Sequence, residues 1–174
     1  MNDVFQINLA KTAFREAYAA SDVDQLLSVF APGGVTDMSE GLPSKYGEEA
    51  RATLRDRAEK LFAEYSVRLN CIIIDISVMG GTAYDFGWHE WILSPKNGGL
   101  PVLMRHRYFE LWSKDASAGW KIALFVNNLD VREELGESRS RWFLSEERAD
   151  PAIFAASLAD SLEACVAAQP FNFH

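Results

Sequence analysis

The chain has 174 residues, a formal net charge of -8, 48% hydrophobic residues and 24% charged residues. This length and composition are typical of one globular domain with an ordinary core, and they exclude a disordered chain. An acidic protein repels phosphate backbones and anionic lipid surfaces, so neither nucleic acid nor a membrane is an expected partner.

The first residues mix acids and bases and lack a continuous apolar stretch, so no signal peptide is predicted. The two cysteines have neither metal-ligand spacing nor a disulfide framework. We therefore expect a cytoplasmic protein, without a metal and without a cofactor.

Apolar residues spaced by three and four predict a helix over 5–20, a shorter helix over 23–30 and a third from 47 to about 65. Asp22, with Gln25 three residues later, predicts the N-cap of the second helix. The segment 35–38, with Asp37 in it, is typical of a short strand. A β-branched run over 67–78 and a last strand over 120–131 flank a long aromatic hairpin over 83–112.

This order, helices followed by a meander of four long strands, predicts an α+β fold in which the helices pack on one face of a curved antiparallel sheet. The remaining residues, 135–174, form a separate extension with one more predicted helix, which begins at Asp150-Pro151. Its apolar stripe has three possible partners: its own domain, the mouth of a pocket or a partner subunit.

The hairpin carries most of the chemistry. Its loop predicts that Glu90 lies opposite Arg105 and Trp88 opposite Arg107. We expect this face to form the wall of a pocket, in which Trp88 stacks on Arg107. The strand period places four more residues on it: Tyr84, Phe86, Phe109 and Leu111.

Two alternatives stay open for Glu90 and Arg105: a cross-strand ion pair that orders the sheet, or an arginine fork that holds a ligand carboxylate. The other hairpin face is expected to point outward and to suit a dimer interface, since it is rich in aromatic and histidine side chains. It holds His89, His106, Trp91, Tyr108 and Trp112. With Asp85 and Glu110 the histidines form no recognisable metal-ligand motif.

Three motifs carry a resemblance to a known family. They are Phe14-Arg-Glu-Ala-Tyr18 before Ser21-Asp22, then 30–37 (FAPGGVTD) before Gly47, and 107–114 (RYFELWSK) before 119–122 (GWKI). Over about 5–134 the chain resembles the NTF2-like superfamily, in its SnoaL-like and DUF4440-type branches. The resemblance implies an NTF2-like domain over 1–134: a cone-shaped half-barrel, usually dimeric, with three N-terminal helices on the concave face of the sheet and a pocket between them.

That superfamily contains ketosteroid isomerases, dehydratases, epoxide hydrolases and cyclases as well as members without catalysis, so the fold alone does not define a function. The resemblance places Asp37 where ketosteroid isomerases keep a proton-shuttling aspartate. It also makes Arg107 a pocket arginine. Phe14 and Phe109 stand where those isomerases keep oxyanion donors, and Tyr18 is a substitute for the first of them.

The first functional hypothesis is a homodimer that binds a small, largely apolar organic molecule and acts on it as a cofactor-free lyase, isomerase or cyclase. Asp37 would be the acid/base and Arg107 the electrostatic clamp. The expected ligand-binding residues are Tyr18, Phe86, Trp88, Glu90, Arg105, Phe109 and Asn127. The alternative hypothesis is a non-catalytic ligand-binding or dimeric assembly module with the same fold.

Overall fold

The computed structural model describes residues 2–130. The predicted extension over 135–174, including its helix, lies outside the described residues. Within the described range no helix is long and apolar enough to cross a membrane.

Three helices precede the long strands: α1 (Asp3–Ala20), α2 (Val23–Ser28) and α3 (Gly47–Glu64). Helix α1 ends at Ser21, whose backbone is left-handed with φ 57°. Asp22 caps α2, because its carboxylate accepts a 2.9 Å hydrogen bond from the backbone N–H of Gln25. The predicted N-cap is therefore confirmed, and the sharp turn between the two helices folds α2 back toward α1.

Six strands form one sheet: β1 (Thr36–Ser39), β2 (Lys45–Tyr46), β3 (Tyr65–Met79), β4 (Thr82–Pro95), β5 (Val102–Asp115) and β6 (Gly119–Leu129). Their order is β2-β1-β6-β5-β4-β3, so the predicted meander of four long strands is confirmed. The four long strands are antiparallel, as predicted, whereas β1 runs parallel to β6, so the complete sheet is mixed. Strand β1 joins the sheet beyond the meander, where no hairpin imposes an antiparallel direction.

The ladder between β3 and β4 contains a β-bulge. The β3–β4 register shifts between Ile73 and Asp75, and Gly87 of β4 lies against the displaced backbone. A Cβ atom at Gly87 would lie 1.9 Å from the carbonyl oxygen of Ile72, so only glycine fits there. Such a bulge increases local twist and helps the sheet to curve around the helices.

The core lies between the helices and the concave face of this sheet. Phe14 of α1 contacts the rings of Phe30, Phe125 and His89, and Tyr18 one turn later meets Trp91. Helix α1 therefore packs across β3, β4 and β6, and the side chains that it covers define the concave face.

The predicted pairing of the hairpin is confirmed: Glu90 lies opposite Arg105 and Trp88 opposite Arg107. The predicted orientation of its two faces is wrong. The helices pack on the face that carries His89 and Trp91, which was expected to point outward. Pairing determines which residues share a face, but the helices determine which face is covered, and here both faces carry aromatic and charged residues.

Candidate functional site

A cavity of about 380 Å³ lies between the helices and the concave face of the sheet. Its volume falls within the range of small-molecule sites. Five of its lining residues come from five different elements: Tyr18 from α1, Arg57 from α3, Trp91 from β4, His106 from β5 and Asn127 from β6. The apolar remainder of the wall includes Leu26, Leu54, Ala58, Leu61, Leu93, Met104 and Phe125.

Aromatic side chains shape one wall of this cavity. Tyr18 meets Trp91 edge to face at 4.7 Å between ring centroids, and it meets Phe62 at 5.7 Å. His106 approaches Trp91 from another side, at 6.3 Å and nearly perpendicular. Perpendicular contacts of this kind hold the rings in fixed orientations. The wall therefore offers a rigid apolar surface for a ligand.

Arg57 brings a positive charge to the cavity. Its guanidinium donates to the Asp37 carboxylate at 2.6 Å and to the Ser39 hydroxyl oxygen at 3.3 Å. The Ser39 hydroxyl in turn donates to Asp37 at 2.6 Å. Asp37 is buried in β1. These contacts fix the position of the Arg57 guanidinium. It therefore loses little further conformational freedom when it binds a ligand.

His106 supplies a neutral imidazole to the same cavity. Burial lowers the pKa of His106 below its usual value, although Glu40 and Asp130 favour the protonated form. Burial also raises the pKa of Tyr18, so its hydroxyl keeps its proton and can donate a hydrogen bond. An acceptor-capable imidazole thus faces a space that also contains a hydroxyl donor and a guanidinium.

Deeper in the concave face lies a group of three buried charges, Lys11, Asp85 and Glu110, here called the ion cluster. The Lys11 ammonium lies 2.8 Å from Glu110 Oε2 and 3.1 Å from Asp85 Oδ2, and all three side chains are at most 2% exposed. Asp85 also accepts hydrogen bonds from the Tyr108 hydroxyl at 2.9 Å and from the Trp112 indole at 2.7 Å. A fixed set of partners therefore surrounds Asp85.

The ion cluster perturbs its own members and a neighbouring histidine. Burial acts to lower the pKa of Lys11, and the Glu110 and Asp85 carboxylates more than reverse this, so the pKa is raised. Burial raises the pKa of Glu110, although Lys11 acts against it. The pKa of His89 falls well below its usual value, through burial first and then through the charge of Lys11. At neutral pH His89 is therefore uncharged.

Two of the predicted site residues, Tyr18 and Asn127, line the cavity, and Asp37 contacts it through Arg57. Their roles in binding and catalysis stay predictions. The other predicted residues lie on the convex face of the hairpin, opposite the helices, and do not line the cavity. They are Phe86, Trp88, Glu90, Arg105, Arg107 and Phe109.

The convex face has its own contacts. Arg105, not Arg107, stacks on Trp88, at 4.5 Å from the ring, and lies 3.7 Å from Asp130. The Arg107 side chain is 61% exposed and also lies 3.7 Å from Asp130. The expected clamp is thus turned away from the cavity. Three aromatic rings stack beside these arginines: Tyr84, Phe86 and Phe109.

Sequence reasoning missed three side chains that line the cavity. Arg57 is one of four basic residues in α3, and helical spacing alone does not distinguish it from Arg55, which pairs with Asp24 at the surface. His106 and Trp91 were assigned to the wrong face of the hairpin. The pairing of His106 with His89 was visible in the sequence, but the position of α1 over that face was not.

Within the described residues, no group of three or more histidine, cysteine, aspartate or glutamate side chains is arranged to hold a metal ion.

Solved structures show which fold this is. The chain is similar to a ketosteroid isomerase-like protein from Erwinia carotovora atroseptica, with TM-score 0.60 and 16% identity over 72% of this chain and 95% of that one. It is also similar to a proposed dehydratase of the NTF2-like family from Streptomyces avermitilis, with TM-score 0.61 and 23% identity over 75% and 97% of the two chains.

A third similar structure is an NTF2-like superfamily protein from Salmonella enterica serovar Typhimurium, with TM-score 0.62 and 14% identity over 76% and 94% of the chains. No protein-family model matches the sequence, and no curated protein matches it. Identities this low establish the fold alone. The protein has the NTF2-like fold, a set of helices packed on an open, curved, mixed sheet, as the resemblance predicted.

Proposed function

We propose that the cavity binds a small, largely apolar molecule with a planar ring and catalyses a proton transfer on it without a cofactor. The observation that carries this proposal is His106, an imidazole with a lowered pKa that faces the same cavity as Tyr18 and Arg57. Much of the cavity wall is apolar, and Lys60 and Glu64 also line it. A base that is neutral at working pH and partly removed from water is what general base catalysis needs.

In this proposal His106 takes a proton from the carbon next to a carbonyl group of the substrate. The negative charge that develops on the carbonyl oxygen is stabilised by hydrogen bonds from Tyr18 and Arg57. Asn127, whose side chain also faces the cavity, orients the substrate. Isomerisation and dehydration both include such a proton transfer, and two of the similar structures are named as an isomerase-like protein and a proposed dehydratase.

Asp37 has a positioning role in this proposal. Its carboxylate already accepts hydrogen bonds from Arg57 and Ser39, so it holds the guanidinium at the cavity wall. The prediction that Asp37 is itself the base would require it to take a proton while Arg57 stays beside it. The Asp37→Asn variant separates the two roles: as a base it would lose catalysis outright, whereas as a positioning residue it would weaken it.

The experiment uses α-tetralone, a bicyclic aromatic ketone, as the probe. Exchange of its acidic C–H protons for deuterium is followed by NMR in D₂O, with wild type, His106→Gln and Arg107→Ala. We expect wild type to accelerate exchange, His106→Gln to lose that acceleration by about 10²–10⁴-fold, and Arg107→Ala on the convex face to keep it.

Equal exchange in wild type and His106→Gln would overturn the assignment of the base. Saturable binding of the probe, measured by the change in tryptophan fluorescence that is lost in Trp91→Phe, with exchange at the buffer rate would instead support a protein that binds without catalysis.

A further inference from the structure

Five buried polar atoms in the region from the ion cluster to the cavity make no hydrogen bond of good geometry within the described part of the chain. They are Glu110 Oε1, His89 Nδ1, His89 Nε2, His106 Nδ1 and Asn127 Oδ1. Unpaired buried polar atoms cost free energy, and a native structure rarely keeps several in one place without a reason.

The ion cluster contains one positive and two negative formal charges. Burying a net charge is costly, so one carboxyl group of the cluster is expected to hold a proton. Asp85 accepts hydrogen bonds from Tyr108 and Trp112 and lies beside Lys11. Glu110 receives one hydrogen bond, from Lys11 to Oε2, and its Oε1 has no hydrogen-bond partner within the described residues. Burial, helped by the neighbouring Asp85, raises the pKa of Glu110, so the proton is assigned to Glu110, whose unpaired oxygen is Oε1.

That oxygen faces a histidine. Glu110 Oε1 lies 3.8 Å from His89 Nε2, a distance that a small side-chain shift or a bridging water would close. His89 is fully buried and stacks on the Tyr108 ring at 4.0 Å, nearly parallel to it, so the plane of the imidazole is fixed. A fixed neutral imidazole beside a protonated carboxyl group is arranged to receive its proton.

The next step leads to the cavity. His89 lies directly opposite His106 in the β4–β5 ladder, and both side chains lie on the concave face. Side chains that face each other across antiparallel strands are close neighbours, about 5 Å apart at Cβ. His106 lines the cavity, whereas His89 does not.

We propose that Glu110, His89 and His106 form a proton relay that connects the buried ion cluster with the cavity. In one transfer the Glu110 Oε1–H bond breaks and a bond forms from the proton to His89 Nε2. His89 then gives up the proton on its other ring nitrogen to His106, so His89 returns to neutral and Glu110 is left ionised beside Lys11. The use of this relay in turnover rests on the proposed function, whereas its existence does not.

Each element packed around Glu110 and His89 contributes a polar side chain that could affect where the proton lies. These groups are Lys11 from α1, Cys71 from β3, Asp85 from β4, Tyr108 and His106 from β5, and Asn127 from β6. Burial raises the pKa of Cys71 to about 12, and it raises the pKa of Tyr108 as well, so neither gives up a proton at neutral pH. Asn127 does not titrate, and its amide favours the protonated form of His89.

The first test detects the stored proton in the full chain by infrared spectroscopy at neutral pH. We expect a carboxylic acid carbonyl band that shifts in D₂O, disappears in Glu110→Gln and persists in Glu90→Gln. Glu90 is the matched control because it is also buried in this hairpin, has an unpaired Oε1 within the described residues and lies on the other face. A wild type without the band, or a band that survives in Glu110→Gln, would overturn the proposal.

The second test measures the path by ¹⁵N NMR of the histidine rings, which is tractable because the chain has three histidines. We expect Glu110→Gln to change the tautomer populations of both His89 and His106. His89→Gln should keep the infrared band of Glu110. In the His89→Gln background, adding Glu110→Gln should no longer change the tautomer populations of His106. This second variant also serves if Glu110→Gln fails to fold. A His106 spectrum that is the same in wild type and in both variants would contradict the relay.

The relay delivers a proton to His106, whereas the proposed base must be neutral. In the α-tetralone assay, Glu110→Gln is therefore expected not to slow exchange and to leave the affinity for the probe unchanged. If wild type shows no exchange at all, the proposed function fails while the infrared and NMR results still decide whether the relay exists.

Discussion

The two ends of the concave face contain similar residue types but differ in how these are paired. In the ion cluster, Lys11 and Asp85 are completely enclosed and surrounded by partners. In the cavity, Arg57 and His106 are anchored on one side and face open space on the other. The comparison teaches that buried charge alone does not identify a functional site. A site needs polar groups with unused hydrogen-bonding capacity next to a space that a ligand can enter.

If this contrast is correct, substitutions in the ion cluster should change mainly stability, and substitutions in the cavity should change mainly binding. The largest effect is expected for Lys11→Met, which leaves two buried carboxyl groups without their cation. Breaking a buried pair in this way costs about 3–5 kcal/mol in the free energy of unfolding, measured by urea denaturation.

Lys114→Met is the matched control, since Lys114 forms a 2.6 Å ion pair with Asp3 near the surface. Its loss of stability should be much smaller because solvent screens the pair. Comparable losses in the two variants would mean that the ion cluster contributes no special stability.

The second prediction concerns pH. The folded protein holds His89 neutral with a pKa well below 6.5, whereas the unfolded chain protonates it near 6.5. Below that pH the unfolded state binds the extra proton, so wild type should lose up to about 1.4 kcal/mol of stability per pH unit through this residue. His89→Gln should show a shallower fall below pH 6.5 than wild type in denaturant titrations. If the free energy of unfolding falls equally steeply below pH 6.5 in wild type and His89→Gln, His89 does not contribute this pH dependence.

The third prediction sharpens the description of the cavity. Arg57→Lys keeps a positive charge beside Asp37 but removes the planar fork, so the affinity for an anionic aromatic probe, naphthoate, should fall about tenfold in calorimetry. Arg55→Lys on the exposed side of the same helix should leave the affinity unchanged. An Arg57→Lys variant that binds naphthoate as tightly as wild type would contradict a ligand-facing guanidinium.

The smallest effect on the cavity is expected from the convex face, which we expect to form the dimer interface. Phe109→Asp places a charge in the stack of Tyr84, Phe86 and Phe109, and it should convert a dimer into monomers in sedimentation experiments. The affinity for naphthoate should stay within about twofold of wild type. A large loss of affinity with unchanged mass would argue that this face, not the concave one, binds ligands.

Much of the fold could be predicted from the sequence because its signals are local. Helical spacing, the cap at Asp22 and the pairing of Glu90 with Arg105 each depend on a few neighbouring residues, and the structure bears out all three. The direction of β1 could not be predicted, since it depends on contact with β6 about ninety residues later in the chain.

The candidate site was less predictable for the same reason. Strand alternation divides the hairpin into two faces but does not state which one meets α1, and here Trp88 and Trp91 made both faces plausible walls. Asn127 and Tyr18 line the cavity because the phase of β6 and of α1 is set by strong apolar patterns. Arg57 depends on a contact with Asp37 that no local pattern encodes.

The most direct test of the central claim, that the concave cavity is the ligand site, is an NMR titration of the full chain with α-tetralone. We predict saturable shifts of the His106 ring and of the Trp91 indole N–H, with the Arg107 guanidinium and Phe109 ring signals unchanged. Saturable shifts of those convex-face side chains with an unchanged His106 ring would contradict the account and place the site on the convex face.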